Sequence, residues 1–173
     1  MKIQIIGFSG SGKSSLAKTL SIHYNLPLLH LDNVQFYGDW NERSKEEQIN
    51  FVRGFMEDNK FGWVIDGNYL AIAPERFTEC DMIIYLNYYR FFCYWEAKKR
   101  YKNNRGRNRE SCPCIEKFDY EFRKWLLFTG RTKARKRKIF DSYNKCNGLK
   151  LIFTNRRELK KYLKEKGINY VYH

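Results

Sequence analysis

No apolar run in this 173-residue chain approaches the roughly 20 residues that a membrane-crossing helix needs. The N-terminus enters a strand-like run at once and shows no secretory-signal pattern, which predicts a cytoplasmic protein without a membrane partner. Proline is scarce, and no linker, internal repeat or low-complexity stretch breaks the chain, so one domain over 1–173 is expected. There is no even, regularly spaced cysteine set. Cys80, Cys93, Cys112, Cys114 and Cys146 therefore predict reduced thiols, some of them core filler. Cys112-Pro113-Cys114 suggests half of a zinc site, but zinc takes four ligands and no second pair is visible. Helix-turn-helix, RNA-binding and zinc-finger signatures are missing as well. A hydrophobic fraction of 43% and an aromatic fraction of 17% exclude a disordered chain.

Acidic residues are in short supply, and the shortage is local. The net charge of +14 divides into −3 over residues 1–87 and +17 over residues 88–173. A general solubility effect would spread the charge evenly. The second half is instead built to meet something anionic: a nucleotide, a phosphorylated substrate or a nucleic acid.

What the chain does have begins at residue 7. Gly7-Phe8-Ser9-Gly10-Ser11-Gly12-Lys13-Ser14 fits G-x-x-x-x-G-K-[ST] at every fixed position and follows the apolar run Ile3-Gln4-Ile5-Ile6. Its glycines let the backbone curl and bring N–H groups close to phosphate oxygens. Lys13 reaches the β- and γ-phosphates, the Ser14 hydroxyl ligates Mg²⁺, and the helix that starts here adds its positive end. Gly7, Ser9, Gly10, Ser11, Gly12, Lys13, Ser14 and Ser15 are thus the expected contacts for ATP or GTP.

Further along, apolar runs alternate with helical spacing. Strands are expected at 2–6, 28–31, 61–66, 81–86 and 149–153, with a last edge strand over 168–172. Helices are expected from Ser14 to about Tyr24, over 43–58, 90–103, from about 118, and from an Asn155 cap to Lys164. This alternation predicts a parallel sheet with helices on both faces. Two excursions leave it: an aromatic-rich loop and helix at 33–60, and a mobile basic connection at 104–117.

Two carboxylates close strands. Asp32 ends the second, where α/β sheets place ligand groups, though a turn or capping role fits it too. Asp66 ends Phe61-Gly62-Trp63-Val64-Ile65, in the position of the carboxylate that orients Mg²⁺ beside a phosphate loop. His30 reads as a structural strand-end histidine. Arg43 and Arg53 are candidates for an acceptor phosphate, with a solvated charge equally open for Arg53. The stretch Lys98–Arg109 holds seven cations in twelve residues, and Arg131, Lys133, Arg135, Lys136, Arg137 and Lys138 form a second cluster.

The blocks GFSGSGKSS, HLDNVQF, WVIDGNY and RYKNNRGRNR, in that order, resemble the small P-loop kinases related to adenylate and shikimate kinases. More closely they resemble the group called DNA topology modulation proteins, over essentially the full chain. That resemblance implies a P-loop NTPase α/β/α fold with a five-stranded parallel sheet in 2-3-1-4-5 order, an acceptor region at 33–60 and a lid at 104–117. It implies acceptor contacts at Asp32, Arg43, Gly67, Asn68 and Tyr69. It implies lid cations at Arg100, Arg105, Arg107 and Arg109, with Arg131 approaching from the next helix. The expected activity is Mg²⁺-assisted transfer of the γ-phosphate to a small acceptor, with Lys13, Asp32, Arg105, Arg107 and Arg131 catalytic and Ser14 and Asp66 at the metal. The turn Asp66-Gly67-Asn68-Tyr69 departs from the D-G-[FY]-P-R of adenylate kinases, so the acceptor is left unidentified. The alternative is a nucleotide-regulated nucleic-acid-binding protein that affects DNA topology.

Overall fold

In the computed structural model, which describes residues 1–108 and 110–170, the chain runs β1 (Lys2–Gly7), α1 (Lys13–Tyr24), β2 (Leu28–His30), α2 (Leu31–Gln35), β3 (Phe36–Gly38) and β4 (Asn41–Glu42). It continues with α3 (Lys45–Asp58), β5 (Trp63–Asp66), α4 (Arg76–Glu79), β6 (Met82–Leu86) and α5 (Arg90–Asn103). After these come α6 (Tyr120–Leu127), α7 (Lys133–Asn144), β7 (Leu149–Phe153) and α8 (Arg156–Glu165). β5 and β6 are buried along their whole length, and β1 from Ile3 onward. Strands covered on both faces have no wet side on which to alternate polar residues, so they read as continuous apolar runs. With β2 and β7 they form a five-stranded parallel sheet in the order β2-β5-β1-β6-β7. Counted along this sheet alone, that is the expected 2-3-1-4-5.

Local chemistry sets the helix ends. Ser44 and Glu47 form a reciprocal capping box, so α3 starts at Lys45 rather than at Arg43. Asn155 Oδ1 accepts from the Glu158 N–H and caps α8 as its sequence predicts.

Three expectations need correction. Residues 33–42 are not a plain loop: the chain turns into the short α2 directly after His30, and β3 and β4 then pair as an antiparallel hairpin. Asp32 consequently lies in the first turn of α2 rather than on a strand tip. Residues 168–170 join no strand, and 171–172 lie outside the described residues. Finally, 110–117 is a packed segment. Asn33 donates to the Glu110 carbonyl at 2.9 Å, Trp40 Nε1 donates to the Ile115 carbonyl at 3.1 Å, and Cys112 and Cys114 are buried.

The residue that organises the sheet's upper edge is Arg76, fully buried at the start of α4. Its guanidinium donates to Gln4 Oε1 at 3.0 Å, to the Asn68 carbonyl at 2.6 Å, and to the Tyr69, Ile72 and Ala73 carbonyls. Gln4, itself buried in β1, donates to the Ile5, Ile65 and Gly67 carbonyls. The turn after β5 leaves a row of backbone carbonyls inside the protein, and these two side chains satisfy them. Burial pushes the Arg76 guanidinium down to about 9, so it remains charged at neutral pH. Arg76→Met strands those acceptors, and a cost of about 3 kcal/mol follows. For a chain of this length that lowers the melting temperature by roughly 6–12 °C. A calorimetric melt indistinguishable from the parent would contradict it.

Candidate active site

The C-terminal ends of β1, β2 and β5 bring the phosphate loop, His30 and Asp66 together. Gly10 carries φ 78°, and a Cβ there would lie 2.2 Å from the Cys93 carbonyl oxygen, so only glycine lets the loop pass under α5. Asn68 clamps the loop's first residue from both sides. Its Oδ1 accepts from the Gly7 N–H at 3.0 Å, and its Nδ2 donates to the Gly7 carbonyl at 2.9 Å. Lys13 Nζ donates to the Phe8 carbonyl at 3.2 Å, which holds the ammonium across the loop. Ser11 Oγ is buried without a hydrogen-bond partner. An anion-binding loop of this kind, opening a helix, fits the phosphates of a nucleotide.

Asp66 is buried, and its Oδ2 is hydrogen-bonded to His30 Nδ1 at 3.0 Å. Burial alone would raise this carboxyl. The His30 hydrogen bond, the Lys13 charge and the nearby Ser14 hydroxyl outweigh it, and the net shift is downward. The second oxygen, Oδ1, is buried with no partner. A carboxylate held ionised with one unsatisfied oxygen, beside a serine that opens α1, fits a divalent cation bound directly or through water. Among the described residues no group of three or more His, Cys, Asp or Glu is arranged to hold a metal. Cys112 and Cys114 are buried free thiols.

Asp32 faces the same edge. Tyr69 donates its phenol to Asp32 Oδ1 at 2.7 Å, and burial, followed by the Asp32 charge, pushes that phenol upward so that it stays a neutral donor. Gly67 shapes the approach: it has φ 138°, and a Cβ there would sit 2.8 Å from Leu31 Cβ. One short turn, Gly67-Asn68-Tyr69, thus fixes both the phosphate loop and Asp32.

The arginines separate into three groups. Arg131 lies inside the site: its guanidinium carbon is 3.8 Å from the centre of the Phe8 ring, Nε donates to the Leu126 carbonyl, and Nη1 donates to the Tyr88 carbonyl. Its Nη2 is buried without a partner, and burial pushes the guanidinium below its ordinary value, opposed by the neighbouring Cys93. Arg43 and Arg100 are committed elsewhere. Arg43 Nη1 donates to the Asn33, Val34 and Phe36 carbonyls and so closes the C-terminal end of α2. Arg100 holds Glu116 Oε1 at 2.6 and 3.0 Å and ties α5 to the far end of the 110–117 segment. Arg105 and Arg107 are exposed on the outer part of that excursion, and Arg109 lies outside the described residues. Ser9 lines a small cleft with Phe8, Trp125 and Arg131, while the Ser15 carbonyl accepts from Thr19.

Sequence reasoning passes over Gln4 and Arg76 and leaves His30 as structural. His30 is within its reach, since β2 and β5 are neighbours in the expected order and His30 pairs in register with Asp66. Arg76 leaves no such signal, because an arginine in a short helix usually faces water.

No protein-family model matches the chain, and no curated protein matches it. Solved structures do. An uncharacterized protein from Eubacterium ventriosum ATCC 27560 superposes with a TM-score of 0.51 at 18% identity, over 95% of this chain and 98% of that one. Shikimate kinase from Bacteroides thetaiotaomicron superposes with a TM-score of 0.57 at 16% identity, over 96% of each chain. Together with the phosphate loop at the head of the sheet, these likenesses show that the chain has the P-loop kinase fold.

Proposed function

We propose that the protein is a Mg²⁺-dependent phosphotransferase that moves the γ-phosphate of ATP or GTP to a hydroxyl of a small acceptor. One observation carries this reading. A phosphate loop, an ionised carboxylate with an unsatisfied oxygen and a second carboxylate meet at one sheet edge, beneath the 110–117 segment. The phosphate loop cradles the triphosphate, and Lys13 turns from the Phe8 carbonyl to the β- and γ-phosphates. Ser14 and Asp66 would hold Mg²⁺, which when bound would supply charge neutralisation for the phosphates. Tyr69 occupies Asp32 Oδ1, so Oδ2 is the oxygen that takes the acceptor's proton as the hydroxyl attacks the γ-phosphorus. The bond to the β–γ bridging oxygen breaks, and its electrons leave with the nucleoside diphosphate. Arg131 offers its unpartnered Nη2 to the transferring group. Arg105 and Arg107 close from the excursion, and closure excludes water, which otherwise competes as acceptor.

The direct test is a screen of nucleosides, nucleotides and small hydroxylated metabolites for acceptor-dependent release of nucleoside diphosphate. An acceptor that stimulates release supports the reading, and a protein that only hydrolyses ATP at a rate no compound changes argues against it.

With an acceptor in hand, the two carboxylates are expected to separate. Asp32→Asn should lower kcat by roughly 10²–10⁴-fold, the range of a lost general base, and leave nucleotide affinity alone. Asp66→Asn should weaken nucleotide binding in the presence of Mg²⁺ but not in its absence. Identical effects of the two on nucleotide affinity would contradict this division.

A second expectation concerns the arginines. Arg105→Ala combined with Arg107→Ala should cut turnover by roughly 10³-fold while nucleotide affinity changes far less, because those contacts form in the closed transition state. Unchanged turnover would remove both residues from the mechanism.

A further inference from the structure

The densest positive charge lies outside this site. α7 opens Lys133-Ala134-Arg135-Lys136-Arg137-Lys138, and all five cations are exposed. Its first turn holds no acid. A helix N-terminus is already positive, so cations placed there work against the helix rather than for it. Thr132 caps the turn by accepting from the Arg135 N–H at 3.3 Å. Only Ile139, Ser142 and Tyr143 of this helix are buried, which leaves its first half standing off the body. Charge that costs local stability and serves no internal contact points to an external anion.

Exposed aromatic rings lie on α5 and just after α6, the elements that lead to α7. Tyr89 is 66% exposed, Trp95 and Phe128 61%, and Phe91 49%. Arg90 Nη1 donates to the Leu127 carbonyl at 3.1 Å, and Arg131 Nη1 donates to the Tyr88 carbonyl at 2.9 Å. These two bonds bring the start of α5, the end of α6 and the approach to α7 to one junction. On α5 the side chains Phe91, Trp95, Lys98 and Lys102 recur at intervals of three and four. They share the face opposite buried Cys93 and Ala97. Lys98 Nζ lies 5.0 Å from the Trp95 ring centre. Of the acids nearby, Glu96 on α5 is paired with Arg156 at 2.7 Å, Asp119 and Glu121 lie at the other end of α6, and Asp141 lies in the second half of α7.

We propose that this junction binds an unpaired polynucleotide strand, with Phe91, Trp95 and Phe128 as stacking platforms and the α7 cations along its phosphates. One face of α5 sets the flat rings Phe91 and Trp95 beside the cations Lys98 and Lys102, and an unpaired strand offers both base faces and phosphates. A duplex hides its base faces. A helix lying on an anionic membrane segregates its apolar face from its charged one, and α5 mixes the two. The proposal does not depend on phosphotransfer.

The test is fluorescence anisotropy of a labelled oligothymidylate across a salt series, with a duplex of equal charge and phosphatidylserine vesicles as the other arms. The full-length protein is expected to prefer the single strand. Phe91→Ala with Trp95→Ala should weaken that binding by about tenfold or more without changing its salt slope. Lys133→Gln with Arg135→Gln and Lys136→Gln should flatten the slope by about two units, near 0.7 for each lost phosphate contact on a single strand. In the unaltered protein, an iodouridine-substituted oligonucleotide should photo-crosslink to peptides covering residues 89–95 or 128–138. Duplex binding as tight as single-strand binding, parent-like binding by the aromatic pair, crosslinks elsewhere, or binding to vesicles alone would each overturn the proposal.

Discussion

A buried guanidinium sets the geometry on which the candidate site depends. Arg76 makes its hydrogen bonds to the Gln4 side chain and to backbone carbonyls of residues 68–73, so its charge is spread over neutral dipoles inside the protein. Such a charge is costly to bury, and it is tolerated where its donors are satisfied. What the arrangement secures is one short turn. Asn68 and Tyr69 lend their carbonyls to Arg76 while their side chains point to the phosphate loop and to Asp32. The phosphate-loop motif and the Asp32 carboxylate are therefore positioned from one anchor, at the end of β5.

The second constraint is electrostatic and acts on the 110–117 segment. Lys18 on α1 meets Glu110 at 2.5 Å, and Arg100 on α5 meets Glu116, so both ends of the segment are pinned to helices that flank the phosphate loop. Trp40 of the hairpin region fills the middle, donating its backbone N–H to Cys114 Sγ and its indole N–H to the Ile115 carbonyl. Exposed pairs such as Lys18–Glu110 contribute little alone. Cys112 and Cys114 are buried within this packing, with Cys114 Sγ accepting from the Trp40 N–H.

Much of this is legible in the residues. The phosphate loop and the five sheet strands follow from local signals: glycine spacing, continuous apolar runs and capping residues; the strand order comes instead from the resemblance to small P-loop kinases. Lys13, Asp32 and Asp66 are singled out by the same signals, because each sits in or directly after a recognisable strand or loop, whereas Asn68 and Tyr69 enter through that resemblance. What escapes them depends on long-range partners. Arg76 looks like any arginine opening a short helix until Gln4, more than seventy residues earlier, is seen beside it. Arg43 reads as a phosphate ligand because its charge is visible in the sequence and its three carbonyl partners are not. Residues 104–117 read as mobile from Asn, Gly and Pro content, yet the aromatic hairpin that 110–117 pack against cannot be inferred from composition.

Everything proposed for the site requires the phosphate loop to hold a magnesium nucleotide through Lys13. Isothermal titration of MgATP and MgGTP into the parent protein and into Lys13→Ala, with a thermal melt of each, tests this most directly. The prediction is binding of at least one nucleotide by the parent and a loss of about tenfold or more in the variant, the scale of a hydrogen bond to a charged group. The melting temperature should not change. Equal affinity in the two proteins, or no binding by either, would contradict the account.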